Sequence, residues 1–275
     1  MLPTPSTSHV DANRIYEPAE DSFLFLDTLS SRTETRFLTE RFTQKPDAAN
    51  HDVAAASPLL VEVGTGSGVV LAFLTAHAQQ IFGRADVVTI GSDINQFACQ
   101  ASYSTVQQAC QEADRDATAA DHSQCSGFLM AMLSADLTSS LRPGVVDVLI
   151  FNPPYVPSSS VPRCADGEAT EIEIAKRTNL DNDSHLLSLS YEGGIDGMEV
   201  TNRFLKQLPD VLNRERGVAY VLLCQQNKPE EVMQSIRGWG PTWVVDIVGL
   251  SGEKAGWEKL CVIRIQRISN NLNLM

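Results

Sequence analysis

The sequence lacks several features that define large classes of proteins. Its 275 residues contain no apolar run close to the roughly 20 residues of a transmembrane helix. No basic region followed by an apolar block opens the chain, so we expect no signal peptide. The six cysteines form no Cys-x-x-Cys pair and do not cluster with the five histidines, which argues against a metal site or a disulfide framework. We therefore expect reduced thiols and a cytoplasmic protein, with the nucleus as the alternative compartment.

Positive charge is scarce as well. The chain has 21 Lys and Arg against 34 Asp and Glu, which gives a formal net charge of -13. Duplex-binding proteins obtain much of their affinity by neutralising phosphates, so this balance argues against nucleic acid as the main partner. The hydrophobic fraction of 43% is ordinary for a globular protein with a substantial core.

Strand and helix patterns alternate along the chain. The predicted strands are 59–63, 87–93, 128–133, 145–151 and 217–224, with 242–248 and 259–267 as a closing hairpin. The predicted helices are 69–82, 95–110, 197–212 and 229–237, after an N-terminal helical segment at about 16–43. Polar loops are expected near 44–58, 111–126 and 158–184. The pattern predicts an α/β fold, doubly wound around a mainly parallel seven-stranded sheet, in a single domain covering residues 1–275.

A tetrad of residues, Asn152-Pro153-Pro154-Tyr155, follows the fourth predicted strand. Asn152 offers a side-chain carbonyl, and Pro153 offers a backbone carbonyl without a neighbouring N–H of its own. Together they can accept hydrogen bonds from a planar NH2 group. Tyr155 adds an aromatic face for a flat substrate, and we assign all four residues to substrate binding. The alternative interpretation is a proline-rich strand exit without a function.

A glycine loop, Gly64-x-Gly66-x-Gly68, connects the first strand to the following helix. Glycines at such a turn let the backbone pass close to a ligand. Glu62 lies just before the loop, where a carboxylate is poorly suited to a pyrophosphate. It is better suited to a ligand with an ammonium or sulfonium group.

Two further carboxylates end neighbouring strands. Asp93 can accept hydrogen bonds from ribose hydroxyls, and Asp136 can accept one from an adenine amino group, with Leu137 against the ring. Each aspartate alone could equally be a helix cap or a turn residue. Because ligands of parallel sheets bind beyond the carboxyl ends of the strands, the combined set favours S-adenosylmethionine.

With these motifs together, the chain resembles the class I S-adenosylmethionine-dependent methyltransferases that modify planar amino nitrogens. More narrowly, it resembles the eukaryotic HemK-like family, the translation release factor glutamine N5-methyltransferases. The resemblance covers nearly the whole chain and rests on the segments 16–21, 62–68, 93–95, 136–137, 151–156 and 193–197. The Asn-Pro-Pro-Tyr tetrad is shared with adenine-N6 methyltransferases, whereas Tyr16 to Asp21 is the more specific sign of the release factor family.

The resemblance implies residue roles. The residues expected to contact the cofactor are Ser22, Glu62, Gly64, Asp93, Asp136 and Leu137, to which the glycine loop and the tetrad add Gly66 and Asn152. Asn152 and Pro153 would hold the glutamine amide, and with Tyr155 they form the expected catalytic set. Ser22 stands where the family has a threonine, and it keeps the hydroxyl.

The family also implies a partner, a small zinc-binding activator protein that adds a strand beside the third strand of the sheet. In the usual strand order this strand lies at an edge. Its residues, Phe128 to Leu133, include no charge, no proline and no glycine. An uncharged apolar edge strand promotes aggregation unless it is covered. Strand addition by a partner would cover it, and a local helix or loop is the alternative.

Three other functions remain open at this point. An adenine-N6 methyltransferase acting on DNA or RNA would need nearly the same pocket, but it generally needs a basic surface. A protein lysine methyltransferase would gain less from the Asn-Pro carbonyls, because a lysine amine is not planar. A non-catalytic module could keep the fold as a scaffold, although the intact acidic and amide positions argue against it.

Overall fold

The computed structural model describes residues 2–43, 56–119, 126–162, 179–252 and 259–268. The helices are α1 (Glu20–Leu29), α2 (Arg32–Phe42), α3 (Val69–Ala76), α4 (Ala78–Phe82), α5 (Gln96–Ala119), α6 (Asn179–Ser188), α7 (Glu199–Val211) and α8 (Pro229–Arg237). The strands are β1 (Leu59–Val63), β2 (Val88–Asp93), β3 (Phe128–Ser134), β4 (Val148–Phe151), β5 (Val218–Cys224), β6 (Trp243–Leu250) and β7 (Leu260–Arg267). Within the described ranges, no helix is both long and apolar enough to cross a membrane.

The seven strands form one sheet in the order β3-β2-β1-β4-β5-β7-β6. Strands β1 to β5 pair in parallel, and β7 runs antiparallel to both of its neighbours. This confirms the predicted fold with its closing hairpin. The register aligns Glu62 with Gly91 on one side and with Ile150 on the other. The carboxyl ends of the central strands therefore meet at one edge of the sheet.

Helices cover both faces of the sheet, which explains why the central strands are almost continuously apolar. Every residue of β4 and of β5 is buried. On one face, Leu60 and Ile150 pack with the helices α1 to α5. On the other face, Val61 and Leu149 pack with α7 and α8. The alternation of side chains along each strand thus builds two apolar cores.

An N-terminal arm, residues 2–19, precedes the first helix and packs against the parallel half of the fold. The imidazole Nε2 of His77 lies 3.1 Å from the carbonyl oxygen of Pro3. Further along the arm, the amide Nδ2 of Asn95 donates to the carbonyl of Arg14 at 3.0 Å. These contacts fix the arm at two places, beside the junction of α3 and α4 and beside the loop that follows β2.

The predicted helical segment of residues 16–43 contains two helices, α1 and α2. They are separated at Ser30 and Ser31, and the Ser31 hydroxyl accepts a hydrogen bond from the backbone N–H of Glu34 at 3.3 Å. A side-chain acceptor of this kind is a common start of a helix.

The predicted helix 69–82 also consists of two helices, because the helical conformation is interrupted at His77. The carbonyl of Thr75, which would continue the helical hydrogen bonds, accepts instead from the N–H of Gly127 at 2.7 Å. A tertiary contact has replaced a local one, and the single predicted helix was wrong in this respect.

The predicted loop at 111–126 was wrong over its first half, since α5 continues to Ala119. Residues 111–119 are polar, but they contain no Gly or Pro and several good helix formers. Asp114 on this extension accepts from the hydroxyl of Ser126 at 2.9 Å, which ties the helix to the chain just before β3. Residues 120–125 lie outside the described ranges.

The predicted loop at 158–184 was wrong at its end, where α6 begins at Asn179. In this helix, Asp183 accepts a hydrogen bond from Arg14 Nε at 2.8 Å. Residues 163–178 of the predicted loop, and residues 44–55 of the loop predicted at 44–58, lie outside the described ranges. Strand β4 is shorter than predicted, because Val146 makes only an isolated bridge to Leu212.

Candidate active site

A pocket opens at the carboxyl ends of β1, β2 and β4, and the N-terminal arm and α7 complete its wall. The structure brings nine of the predicted residues into this wall: Ser22, Glu62, Gly64, Gly66, Asp93, Asp136, Leu137, Asn152 and Pro154. They come from five separate segments of the chain. Their convergence is the arrangement expected when parallel strands end at one edge of a sheet.

The glycine loop forms the floor of the pocket. Gly64 and Gly66 have φ values of 66° and 52°, which L side chains rarely adopt. Gly68 has a φ of 78°, and a Cβ there would lie 2.5 Å from the Cα of Ser102 on α5. The loop therefore needs glycine for its conformation at all three positions, and at Gly68 also for close packing against α5.

Two buried carboxylates face this loop. Glu62 is 2% exposed and accepts from the Leu71 N–H at 2.8 Å. Asp93 is 8% exposed and accepts from the N–H groups of Gly66 and Asn95 at 2.9 and 2.8 Å. Burial raises the pKa of Asp93 and raises the pKa of Glu62 well above its usual range. A cationic ligand would offset the cost of their charges.

Asp136 and Leu137 lie on the opposite wall. Leu137 is buried and has a φ of 52°, an uncommon conformation for a residue with a side chain, and its carbonyl accepts from the Ser92 hydroxyl at 3.2 Å. The carboxylate of Asp136 is half-exposed and pairs with the guanidinium of Arg203 on α7. Arg203 also lines the pocket.

Asn152 carries the most specific polar feature of the pocket. Its amide Nδ2 donates to Asp21 Oδ2 at 3.1 Å. Its Oδ1 is buried and has no hydrogen-bond partner among the described residues. An ionised carboxylate only accepts hydrogen bonds, so Asp21 identifies the facing atom of Asn152 as the nitrogen. The free oxygen is left as an acceptor at the pocket wall.

Pro153 and Tyr155, two members of the predicted catalytic set, do not line the pocket in this structure. Tyr155 packs against the apolar core on the α1 to α5 face, and its carbonyl accepts from Asn227 Nδ2 at 3.2 Å. A Cβ on Gly197 would clash with that carbonyl. The glycines of segment 193–197 therefore hold the backbone that follows Asn152.

Three of the pocket residues that sequence reasoning missed bear directly on its chemistry: Asp21, Thr65 and Arg203. Asp21 lies in the segment 16–21 that carries the family resemblance, but its contact with Asn152 joins positions 131 residues apart. Thr65 lines the pocket with a buried Oγ1 that has no partner among the described residues. Arg203 gave no signal, since a single arginine on a predicted amphipathic helix is ordinary.

The donor and acceptor set fits S-adenosylmethionine. Four carboxylates and one arginine line the pocket, which suits a ligand with a net positive sulfonium centre. The glycine loop leaves open space beside Gly66, where a Cβ would meet nothing within 4 Å. The unpartnered oxygen atoms of Thr65 and Asn152 offer hydrogen bonds to a polar ligand.

Comparison with known proteins agrees with this geometry, although no protein-family model matches the chain. The eRF1 methyltransferase catalytic subunit mtq2 of Schizosaccharomyces pombe is 30% identical over 275 residues, 99% of each chain. The chain belongs to the eukaryotic HemK-like methyltransferase family. Methyltransferase HEMK2 of Homo sapiens is 29% identical over 96% of each chain. The putative protein N5-glutamine methyltransferase MJ0928 of Methanocaldococcus jannaschii is 26% identical over 92% of each chain.

The alignment with mtq2 covers 99% of the chain and therefore spans the segments that form the pocket. The family resemblance found in the sequence is thereby confirmed, and so is the methyltransferase class of the enzyme.

Proposed function

We propose that this HemK-like protein transfers a methyl group from S-adenosylmethionine to the side-chain nitrogen of a glutamine. The acceptor is the glutamine in the Gly-Gly-Gln motif of a class I translation release factor. The observation that carries the proposal is the buried Oδ1 of Asn152, a residue of the pocket wall, which lacks a hydrogen-bond partner among the described residues. The names of the yeast and archaeal relatives, an eRF1 methyltransferase and a putative N5-glutamine methyltransferase, support the substrate.

We assign the cofactor to the pocket floor and its two walls. Glu62 would face the cationic methionine part, and Asp93 would accept from the ribose hydroxyls. Asp136 and Leu137 would hold the adenine, while Ser22 adds a buried hydroxyl that donates to Asp21. The backbone of Gly64 and Gly66 would pass close to the ligand, because both residues have positive φ values and no side chain.

The bound cofactor supplies an electrophilic methyl group on sulfur. An amide nitrogen is a poor nucleophile, because its lone pair is delocalised into the carbonyl. Asn152 Oδ1 would accept a hydrogen bond from the amide NH2 group, orient the nitrogen and stabilise the positive charge that develops on it. The Pro153 carbonyl stays the proposed second acceptor, although Pro153 does not line the pocket in this structure. The methylated nitrogen would then lose one proton to water. Fixing the acceptor nitrogen in line with the methyl group supplies the remaining rate enhancement.

Mass spectrometry of the release factor tests the proposal. The purified enzyme, co-expressed with the zinc-binding activator that the family resemblance implies, should add one methyl group to the Gly-Gly-Gln glutamine. Asn152→Ala should slow this transfer by about 100- to 1,000-fold, the effect of removing one hydrogen-bonding group that stabilises transition-state charge. Asn202→Ala, an exposed amide on α7, is the matched control and should retain full activity.

Two results would overturn this assignment. One is a wild-type enzyme that leaves the glutamine unmodified, and the other is an Asn152→Ala variant that methylates it at the normal rate. Adenine in DNA or RNA and lysine in protein serve as competing acceptors in the same assay. Faster transfer to either would reassign the substrate.

We further propose that the small zinc-binding activator pairs with β3. This strand lies at the edge of the sheet, and Phe128 and Met130 are 63% and 59% exposed. A partner strand would cover both side chains and satisfy the free backbone groups of the edge. Met130→Lys should abolish co-purification of the activator.

Leu250→Lys provides the control for this experiment. Leu250 is 69% exposed on β6, the opposite edge strand, so the substitution changes a similar side chain far from β3. Retention of the activator by Met130→Lys, or its loss from Leu250→Lys alone, would refute pairing at β3.

A further inference from the structure

We infer that Asp21 is a positioning residue for methyl transfer. It holds the amide of Asn152 with the oxygen toward the acceptor nitrogen, and its negative charge strengthens that oxygen as an acceptor. The inference rests on the proposed function of Asn152. It assigns a role to a residue from the N-terminal region, 131 positions before the one on which it acts.

The carboxylate of Asp21 is itself held in place. Asp21 is 4% exposed, and its Oδ1 accepts from the backbone N–H of Ser22 at 2.6 Å and from the Ser22 hydroxyl at 3.2 Å. The other oxygen, Oδ2, receives the amide of Asn152. The residue also lies in the first turn of α1, where the helix dipole stabilises negative charge. Both oxygens of Asp21 therefore have fixed directions.

A fixed carboxylate selects one of two orientations of the Asn152 amide. The oxygen and the NH2 group of an asparagine have nearly the same shape, so a half-turn about the last bond exchanges them at little steric cost. Beside Asp21, the exchanged orientation would set two oxygen atoms against each other. The observed orientation makes a charge-assisted hydrogen bond and leaves the oxygen free for the substrate.

The charge of Asp21 also acts through the amide group. A negative charge at the NH2 end favours the resonance form with negative charge on oxygen. Hydrogen bonds in a buried chain polarise one another in this way. The free oxygen of Asn152 thereby becomes a better acceptor for an amide whose nitrogen gains positive charge during methyl transfer.

Asp21→Asn is the decisive variant, because it removes the charge and keeps the shape. An asparagine at position 21 can accept from the Asn152 amide or donate to its oxygen, so both orientations become populated. We expect kcat for the release factor glutamine to fall by about 10- to 100-fold, as for loss of a hydrogen bond to a charged group. The Kd of S-adenosylhomocysteine and the KM of the substrate should change by less than about threefold.

A second variant separates charge from packing. Asp21→Glu keeps the charge but alters the shape more than Asp21→Asn does. It should retain more activity than Asp21→Asn if orientation and charge matter. A purely structural role predicts the reverse order. Glu20→Gln removes the neighbouring exposed carboxylate and should leave kcat unchanged.

A double-mutant cycle tests whether Asp21 acts through Asn152. In an Asn152→Ala background, Asp21→Asn should lower the residual rate by less than about twofold, because the group that it positions is gone. Equal losses in both backgrounds would overturn the inference. So would a large rise in the Kd of S-adenosylhomocysteine at normal kcat, since that result would make Asp21 a cofactor-binding residue.

Nuclear magnetic resonance gives a readout that does not need turnover. The side-chain amide signals of Asn152 can be assigned by their absence from Asn152→Ala. In the wild type, one amide proton should be shifted downfield by its charged acceptor, and Asp21→Asn should remove this shift while Glu20→Gln preserves it. A wild type that cannot methylate the release factor would refute the proposed function alone. Unaltered Asn152 signals in Asp21→Asn would refute the positioning role.

Discussion

Glu34 and Glu62 are two glutamates with almost the same burial and opposite surroundings. Glu34, on α2, is 1% exposed, and its carboxylate accepts from Tyr220 Oη at 2.8 Å and from Arg264 Nη1 at 2.8 and 3.0 Å. Glu62, at the pocket, is 2% exposed and has one hydrogen bond, from the Leu71 N–H, and no ion pair among the described residues.

The difference lies in whether the protein itself supplies a cation for the buried carboxylate. Around Glu34, the protein supplies its own cation, and the Arg264 guanidinium lies over the Phe37 ring at 4.0 Å. Around Glu62, the charged group that affects the pKa of its carboxyl is the like-charged Asp93, which raises it further. A buried carboxylate without a cation is destabilising, and it persists where binding needs it.

The largest expected effect on stability comes from breaking the ion pair between Glu34 and Arg264. Glu34→Ala leaves the buried Arg264 without its main partner and should lower the free energy of unfolding by about 3–5 kcal/mol. Asp246→Ala is the control, because Asp246 pairs with the same guanidinium at 3.4 Å but is half-exposed. It should cost no more than about 1 kcal/mol. Denaturant unfolding measures both, and equal losses would show that Glu34 is not the main partner.

A smaller effect is expected for Glu62→Gln, and it should appear in binding. Loss of the carboxylate should weaken binding of S-adenosylmethionine by about 10- to 100-fold, as for a hydrogen bond to a charged group. A cation beside Glu62 lowers the raised pKa of its carboxyl group. The wild type should therefore release a proton on binding, and its affinity should rise with pH. Calorimetry in buffers of different ionisation enthalpy measures this proton, which Glu62→Gln should not release.

The same pKa has a consequence for the ligand-free protein. Because burial raises the pKa in the folded state above its ordinary value of 4.5, the folded state holds the proton more tightly than the unfolded state. The contribution of Glu62 to stability is therefore complete below pH 4.5 and is lost as the pH rises through the folded pKa. Stability curves of wild type and Glu62→Gln should diverge in that direction. Parallel curves would contradict the proposed ionisation.

The smallest effect is expected at the rim of the pocket. Arg203 and Asp136 form an ion pair like that of Glu34 and Arg264, but their side chains are 50% and 47% exposed. Solvent screening should limit the loss in Arg203→Ala to about 0–1 kcal/mol, and added salt should reduce it further. Thermal unfolding at two salt concentrations measures this loss. A loss comparable to that of Glu34→Ala would mean that burial does not govern these pairs.

The positions of the strand ends could be predicted from the sequence, because apolar runs and glycine loops are local signals. Glu62, Asp93 and Asn152 follow or end such runs, and the parallel sheet brings them together. The tertiary contacts could not be predicted in this way. The interruption of the helix at His77 accompanies a hydrogen bond from the Gly127 N–H to the Thr75 carbonyl. The extension of α5 is held by a hydrogen bond from the Ser126 hydroxyl to Asp114.

Asp21 illustrates a second limit. It belongs to the segment 16–21 that carries the family resemblance. A carboxylate in the first turn of a helix, however, is usually exposed to solvent and stabilises the helix through its interaction with the helix dipole. Only the approach of α1 to the end of β4 gives it a different role. Similarly, no pattern within α2 distinguishes Glu34, which pairs with a residue 230 positions later.

The N-terminal arm has a consequence for how the gene is expressed. Ile15 and Tyr16 line the pocket, although the arm precedes every helix and strand. A recombinant version beginning at Glu17 would keep all these elements and lose Ile15 and Tyr16 from the pocket wall. Trimming this arm for expression would therefore change the pocket while every helix and strand stays in the sequence.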